Sequence, residues 1–214
     1  MRRLPLALLL CGLLSIVGVW PVVAQSTAPS PALSPGAPPW LGGRAEMPEY
    51  GFAVTVPDGW IAFDLTGDID AQARSALAVL APTAPEEEIQ AYVDGWRAYQ
   101  EQSRGQVVVT DDRSSCTFVV GPASDDLDLD LVANQFYVRQ TSDDSVTHAE
   151  PPAIIILTAG PTRLLTYGRS AEEVALYLAQ GNGLLVNAAC FGEERPDDDW
   201  VSVVDTFEWL AEGG

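Results

Sequence analysis

The feature that most constrains this fold is Gly181-Asn182-Gly183, set between two β-rich runs at 174–179 and 184–189. Asn and Gly accept the left-handed backbone that a tight hairpin turn demands, so the spacing predicts neighbouring antiparallel strands. Residues 171–179 also fit a helix, and the turn decides for strand. Other runs repeat the pattern. Residues 50–56 alternate, with Phe52, Val54 and Val56 on one face. Pro57-Asp58-Gly59 is turn chemistry, and 60–65 is a second short strand, so an opening hairpin is expected. Residues 106–110 and 116–120 flank a turn at 111–115. Residues 153–158 and 162–167 flank Gly160-Pro161.

Helices separate these strands. Asp68 can cap a helix over 68–80, where Ile69, Ala73, Ala76, Leu77 and Leu80 form one stripe. A second starts near Pro85, with Glu86, Glu87 and Glu88 at the positive end of its dipole. Ile89, Tyr92, Val93, Trp96 and Tyr99 follow at helical spacing, which reads as core. A third is expected from a Ser124 cap, burying Leu127, Leu131, Phe136 and Val138. A last helix is expected over 196–210, with Trp200, Val203, Val204, Phe207 and Leu210 on one face. The order ββ-αα-ββ-α-ββββ-α predicts an α+β fold: a central, mainly antiparallel sheet flanked by helices on both faces.

The two ends of the chain differ in composition. Met1-Arg2-Arg3, an apolar run over 4–19 and Val22-Val23-Ala24 make the three parts of a signal peptide, predicting cleavage after Ala24. The rival reading is an uncleaved anchor, because residues 4–23 approach the length of a membrane span. Residues 25–48 hold Pro29, Pro31, Pro35, Pro38, Pro39 and Pro48 and read as a disordered, semi-rigid linker. Trp40, inside it, either folds back on the domain or marks a docking segment. The globular domain is then 49–212.

Charge narrows the function. The 214 residues carry 11 basic and 30 acidic side chains, for a net charge of −19, and every basic residue is Arg. Removing Arg2 and Arg3 with residues 1–24, which hold no acid, leaves −21. Such a surface repels nucleic acid and anionic lipid, so any membrane contact is left to an uncleaved N-terminal segment. It can attract cations or a basic protein partner. Lys chemistry is excluded, and one His with three Cys excludes a His-rich or Cys-cluster metal centre.

Cys116 and Cys190 remain after cleavage, both on expected strands in an oxidising compartment. A disulfide is expected, which requires those strands to be neighbours; the other reading is two buried thiols. The Asp126, Asp128, Asp130 alternation resembles a calcium loop, but it lacks the glycine and the closing Glu. Helix-start chemistry explains Asp125 to Asp128 and Asp197 to Asp199 without a metal. His148 stands alone beside Glu150 and Pro151-Pro152. No G-x-S-x-G, H-E-x-x-H, phosphate-binding loop or dinucleotide fingerprint occurs, and no cofactor is implied.

Three stretches together resemble a known family. They are residues 50–60, ending Val56-Pro57-Asp58-Gly59-Trp60; residues 157–165, around Ala159-Gly160-Pro161; and Gly183-Leu184-Leu185-Val186 leading to Phe207-Glu208-Trp209-Leu210. A strand ending in Pro-x-x-Trp, a central Ala-Gly strand pair and a closing hairpin resemble the PsbP-like superfamily. That group includes an extrinsic photosystem II protein, a eukaryotic Ran-binding protein and many secreted bacterial proteins. The resemblance implies a sheet between helices and a binding or assembly role. It gives Trp60 a packing role. A secreted chain does not suit Ran binding, and His148 alone does not supply the family's His-containing metal sites, so no functional residue is carried over.

The expected protein is therefore a secreted, non-enzymatic binding or assembly module with an acidic surface. The competing class is a metal- or carboxylate-dependent hydrolase built on the Asp clusters. Carboxylates converging in a cleft would favour the second.

Overall fold

The computed structural model describes residues 39–111, 113–169, 172–192 and 198–210. The signal segment and residues 25–38 lie outside that range. The elements are β1 (Gly43–Met47), a 3-10 turn (Pro48–Tyr50), β2 (Phe52–Val56), β3 (Ile61–Asp64), α1 (Ile69–Leu80), α2 (Glu86–Gln102), β4 (Val107–Thr110), β5 (Ser115–Pro122), α3 (Leu129–Thr141), β6 (Val146–Ala149), β7 (Ala153–Leu157), β8 (Gly160–Arg169), β9 (Glu172–Gly181), β10 (Leu184–Gly192), α4 (Asp198–Asp205) and β11 (Glu208–Trp209). The fold is α+β, and every strand pair is antiparallel.

Eight strands form the main sheet in the order β3-β4-β5-β10-β9-β8-β6, with β7 also paired to β8. Its centre is the hairpin β9–β10. Asn182 (φ 51°) and Gly183 (φ 70°) both adopt the left-handed backbone, which is what a two-residue loop between twisted strands requires. Three further strands, β1-β2-β11, form a small second sheet.

Strand register sorts side chains between two faces, because successive residues point opposite ways. On one face Ala62, Val109, Phe118, Tyr177, Val186 and Ala188 join Met47, Phe52 and Val54 of the small sheet and Trp200, Val203 and Phe207, all in one buried cluster. Trp60 belongs to this cluster at 6 % exposure, in the packing role expected of it. On the other face, Phe63 and Val108 pack with Ile69, Ala73, Ala76 and Val93 of α1 and α2. Further along that face, Leu165, Leu176 and Leu178 pack with Ala133, Val132 and Phe136 of α3. The aromatic stripe of α2 is half-buried against the Phe63 cluster, with only Val93 fully buried, and the Trp96 ring lies 4.2 Å from that of Phe63.

Several expectations need correction. The opening hairpin does not form. The 57–60 turn is present, with Trp60 N–H donating to Pro57 O at 3.0 Å, but β2 joins the small sheet and β3 the large one. The turn is a corner between sheets, because Phe52, Val54 and Val56 fill the space between them. Residues 43–47, read as linker, form β1 with Ala45 and Met47 fully buried. Trp40 folds back, exchanging backbone hydrogen bonds with Ala62 at 3.2 and 2.9 Å.

The third helix starts later than expected. Asp128, not Ser124, caps it, accepting from Asp130 N–H and Leu131 N–H. Ser124 to Leu127 is a turn. At helical spacing Leu131 and Val138 fall opposite Phe136, and it is the side of Phe136, Val132 and Ala133 that packs, so Leu131 and Val138 are exposed. The final helix ends at Asp205. Phe207 N–H turns back onto Val204 O, and Glu208–Trp209 pairs with β2 as a strand. Trp200, Val203, Val204 and Phe207 are nevertheless buried, as their spacing implied. Strand β6, which carries His148, had no turn signal ahead of it.

Candidate functional site

The cysteines come first, because they fix the sheet. Cys116 and Cys190 stand directly opposite each other in the β5–β10 register, and a disulfide joins them with their Cα atoms 4.0 Å apart. Both are fully buried. The bond closes a loop of 74 residues, for which chain-entropy bookkeeping gives about 4 kcal/mol. Its place in the sheet interior marks it as structural.

Among the described residues, the space between the two sheets is closely filled. The void bordered by Phe118, Tyr177, Ala188 and Phe207 is about 10 Å³, the room of a single water. The roomier concavity is an open groove of about 500 Å³. One wall is the turn before α3 and the first turn of that helix, with Asp125, Leu127, Asp128 and Asp130. The floor is the start of β8, with Pro161 and Arg163. The far wall is the tip of the β9–β10 hairpin, from Gln180 to Gly183.

Local chemistry holds this groove in shape. Asp128 caps α3 through the N–H groups of Asp130 and Leu131 at 2.9 and 3.0 Å. Asp130 takes the Arg163 guanidinium with both oxygens, at 2.5 and 3.1 Å. That bidentate bond holds the Asp130 carboxyl below its ordinary range and raises the Arg163 guanidinium. Gln180 Nε2 donates to Ser124 O at 2.7 Å and ties the hairpin tip to the turn. Asp126 accepts from the Ser124 hydroxyl.

The three carboxylates suspected of metal binding are thus committed elsewhere. Asp128 is a helix cap, Asp130 is an ion-pair partner, and Asp126 serves its own turn. Among the described residues, no group of three His, Cys, Asp or Glu side chains could hold a metal ion. The other acidic clusters follow the same logic. Asp111 accepts from the N–H groups of Arg113 and Ser114, and Asp143 from Ser145 N–H and Oγ. Asp112 and Asp197 lie outside the described residues. Three carboxylates, Asp125, Asp128 and Asp130, line the groove, all from the one stretch 125–130 rather than facing each other across it.

His148 lies far along the sheet from this groove, on β6. Its Nε2 sits 3.2 Å from Glu173 Oε2. The hydroxyl of the adjacent Thr147 is hydrogen-bonded to His148 Nδ1 at 3.3 Å. Sequence reasoning missed the groove itself. Its two walls, at 125–130 and 180–183, are far apart in the chain, and only the Asp run at 125–130 gave a signal.

No protein-family model matches the chain, and no curated protein matches it. Solved structures resemble it, among them these two. One is the solution structure of cyanobacterial PsbP from Synechocystis sp. PCC 6803, 14% identical, covering 80% of this chain and 94% of that chain with a TM-score of 0.44. The other is the crystal structure of the Saccharomyces cerevisiae Ran-binding protein Mog1p, 12% identical, covering 79% of this chain and 95% of that chain with a TM-score of 0.42.

Proposed function

We propose that this chain is a non-enzymatic binding or assembly module working outside the cytoplasm, and that its acidic groove receives a basic segment of a partner protein. The carrying observation is the groove of about 500 Å³ whose near wall presents Asp125, Asp128 and Asp130, on a chain of net charge −19. An Arg or Lys side chain entering there meets the Asp125 carboxylate and an Asp128 held by its capping bonds, while Asp130 is already paired with Arg163. Gln180 and Asn182 on the opposite wall offer amide groups for a peptide backbone.

The compartment reading rests on the signal-like residues 1–24 and on the buried disulfide, which persists in oxidising surroundings. Among the described residues, no helix is long and apolar enough to cross a membrane. Residues 25–38 serve as the tether, and the helices cover both faces of the main sheet.

The test is a titration of the purified protein with an Arg-rich peptide over a range of salt. Binding that weakens steeply with salt, and weakens further in Asp125→Asn, supports the reading. An affinity unchanged by Asp125→Asn, or matched by Ca²⁺ at equal charge, counts against a protein partner at this groove.

A further inference from the structure

Strand β7 differs from the other strands in its surroundings. It pairs with β8 on one side, and no described strand pairs with its other side. Its sequence, Ala153-Ile154-Ile155-Ile156-Leu157, has no charge, no Pro and no bulge, the devices that ordinarily blunt a sheet edge. Ile154 is 62% and Ile156 73% exposed. No charged residue occurs between Glu150 and Arg163. The long uncharged run of β9 and β10 is buried; this one borders solvent.

We propose that β7 is the contact through which two copies of this chain pair, antiparallel and two-fold symmetric about Ile155. The register decides which backbone groups are available. Ile156 faces Pro161, which has no N–H to give, so Ile155 and its alternates make the ladder bonds to β8. Thr166, in step with Thr162 along β8, turns its carbonyl to the same side and accepts from Glu150 N–H at 2.9 Å. The N–H and C=O groups of Ile154 and Ile156 therefore point outward. Centring a second copy on Ile155 sets Ile154 against the partner's Ile156, and Ile156 against the partner's Ile154. Those are the residues with outward groups, so four backbone hydrogen bonds close.

The side chains agree with that register. Opposed residues share a face, so both exposed isoleucines of each copy meet in one four-residue cluster. Charge selects the same place. Two chains of −19 repel, and this edge brings no carboxylate on the paired strands themselves, the nearby Asp130 being neutralised by Arg163. A contact of one short strand is small beside a standard interface, so the dimer forms in a concentration-dependent way. Raised salt strengthens it by screening the repulsion, the reverse of the effect on a basic peptide in the groove.

Sedimentation equilibrium of the purified protein over a range of concentration tests this. The expected result is a monomer–dimer equilibrium that tightens with salt. Ile156→Pro removes an outward N–H and Ile154→Lys puts charge at the seam; each should weaken pairing about tenfold or more at unchanged Tm. Ile155→Cys should cross-link to its own copy on oxidation, because residue 155 faces itself, while Ile154→Cys should not. A protein monomeric throughout, a dimer indifferent to Ile154→Lys, or cross-linking through Ile154→Cys instead would each overturn the proposal.

Discussion

His148 reaches Glu173 across a glycine. The two stand on β6 and β9, with β8 between them, and Nε2 comes within 3.2 Å of Oε2 because Gly168 leaves the intervening position bare. A Cβ at Gly168 would stand 2.4 Å from the imidazole. The one histidine of the chain is therefore an edge clasp, laid over the sheet to join three strands.

Gly168→Ala should displace that ring and lower stability by about 1 kcal/mol, a fall of about 2–4 °C in Tm for a chain of this size. In a His148→Ala background the same substitution should cost less. A double-mutant cycle by thermal unfolding measures the difference, and strictly additive effects would show that ring and glycine are independent.

Gly192 poses a harder case. A Cβ there would meet the Trp200 ring at 2.3 Å, and Trp200 is 1% exposed within the core between the sheets. The ring has nowhere to go. Gly192→Ala should cost about 1–3 kcal/mol, the range for overpacking, and shift the tryptophan fluorescence as α4 lifts from the sheet. A change within about 0.5 kcal/mol would mean that α4 is held elsewhere.

Replacing Cys116 and Cys190 together by Ala should lower stability by about 2–4 kcal/mol and leave the fold in place. Urea unfolding of the oxidised protein, the reduced protein and the double variant measures it. Reduction should reproduce most of the loss.

Stability should fall at high pH. Burial pushes the Tyr167 and Tyr177 phenols up to about 12, and Tyr50 likewise, beside Asp64. A raised tyrosine pKa favours the neutral phenol in the folded state. The stability it lends is complete below pH 10 and drains away as the pH rises towards 12. At the acid end the sign reverses. Asp143, lowered first by its Ser145 hydrogen bonds and then by Arg169, lends stability that is lost as the pH falls through the ordinary carboxylate range. Phenolate absorbance recorded alongside circular dichroism should show tyrosine ionisation and unfolding together. Ionisation of Tyr167 or Tyr177 near pH 10 in a still-folded protein, assigned by Tyr→Phe variants, would contradict the burial.

The legible parts of this fold were those where local chemistry and tertiary need coincide. Asp68 caps α1, bonding Ala71 N–H at 3.0 Å, and Gly181-Asn182-Gly183 turns the central hairpin. Misreadings arose where a local signal had two uses. Ser124 and Asp128 are both good caps, and only the packing of Ala133 chooses between them. Pro57-Asp58-Gly59 marks a turn equally well within a sheet or between two. Strand β1 was hidden because Gly42, Gly43 and Pro48 frame it with linker-like residues, although Ala45 and Met47 are core. The groove could not be read in advance, because its walls meet only after β8, β9 and β10 pair.

Backbone amide shift mapping, with an Arg-rich peptide titrated into the isotopically labelled protein, asks the central question most directly. The expected result is saturable perturbation confined to Asp125–Asp130, Arg163 and Gln180–Gly183, reduced in Asp125→Asn. Small, non-saturating shifts spread over every acidic turn, including Asp111 and Asp143, would contradict a built site and leave only the general attraction of a −19 chain.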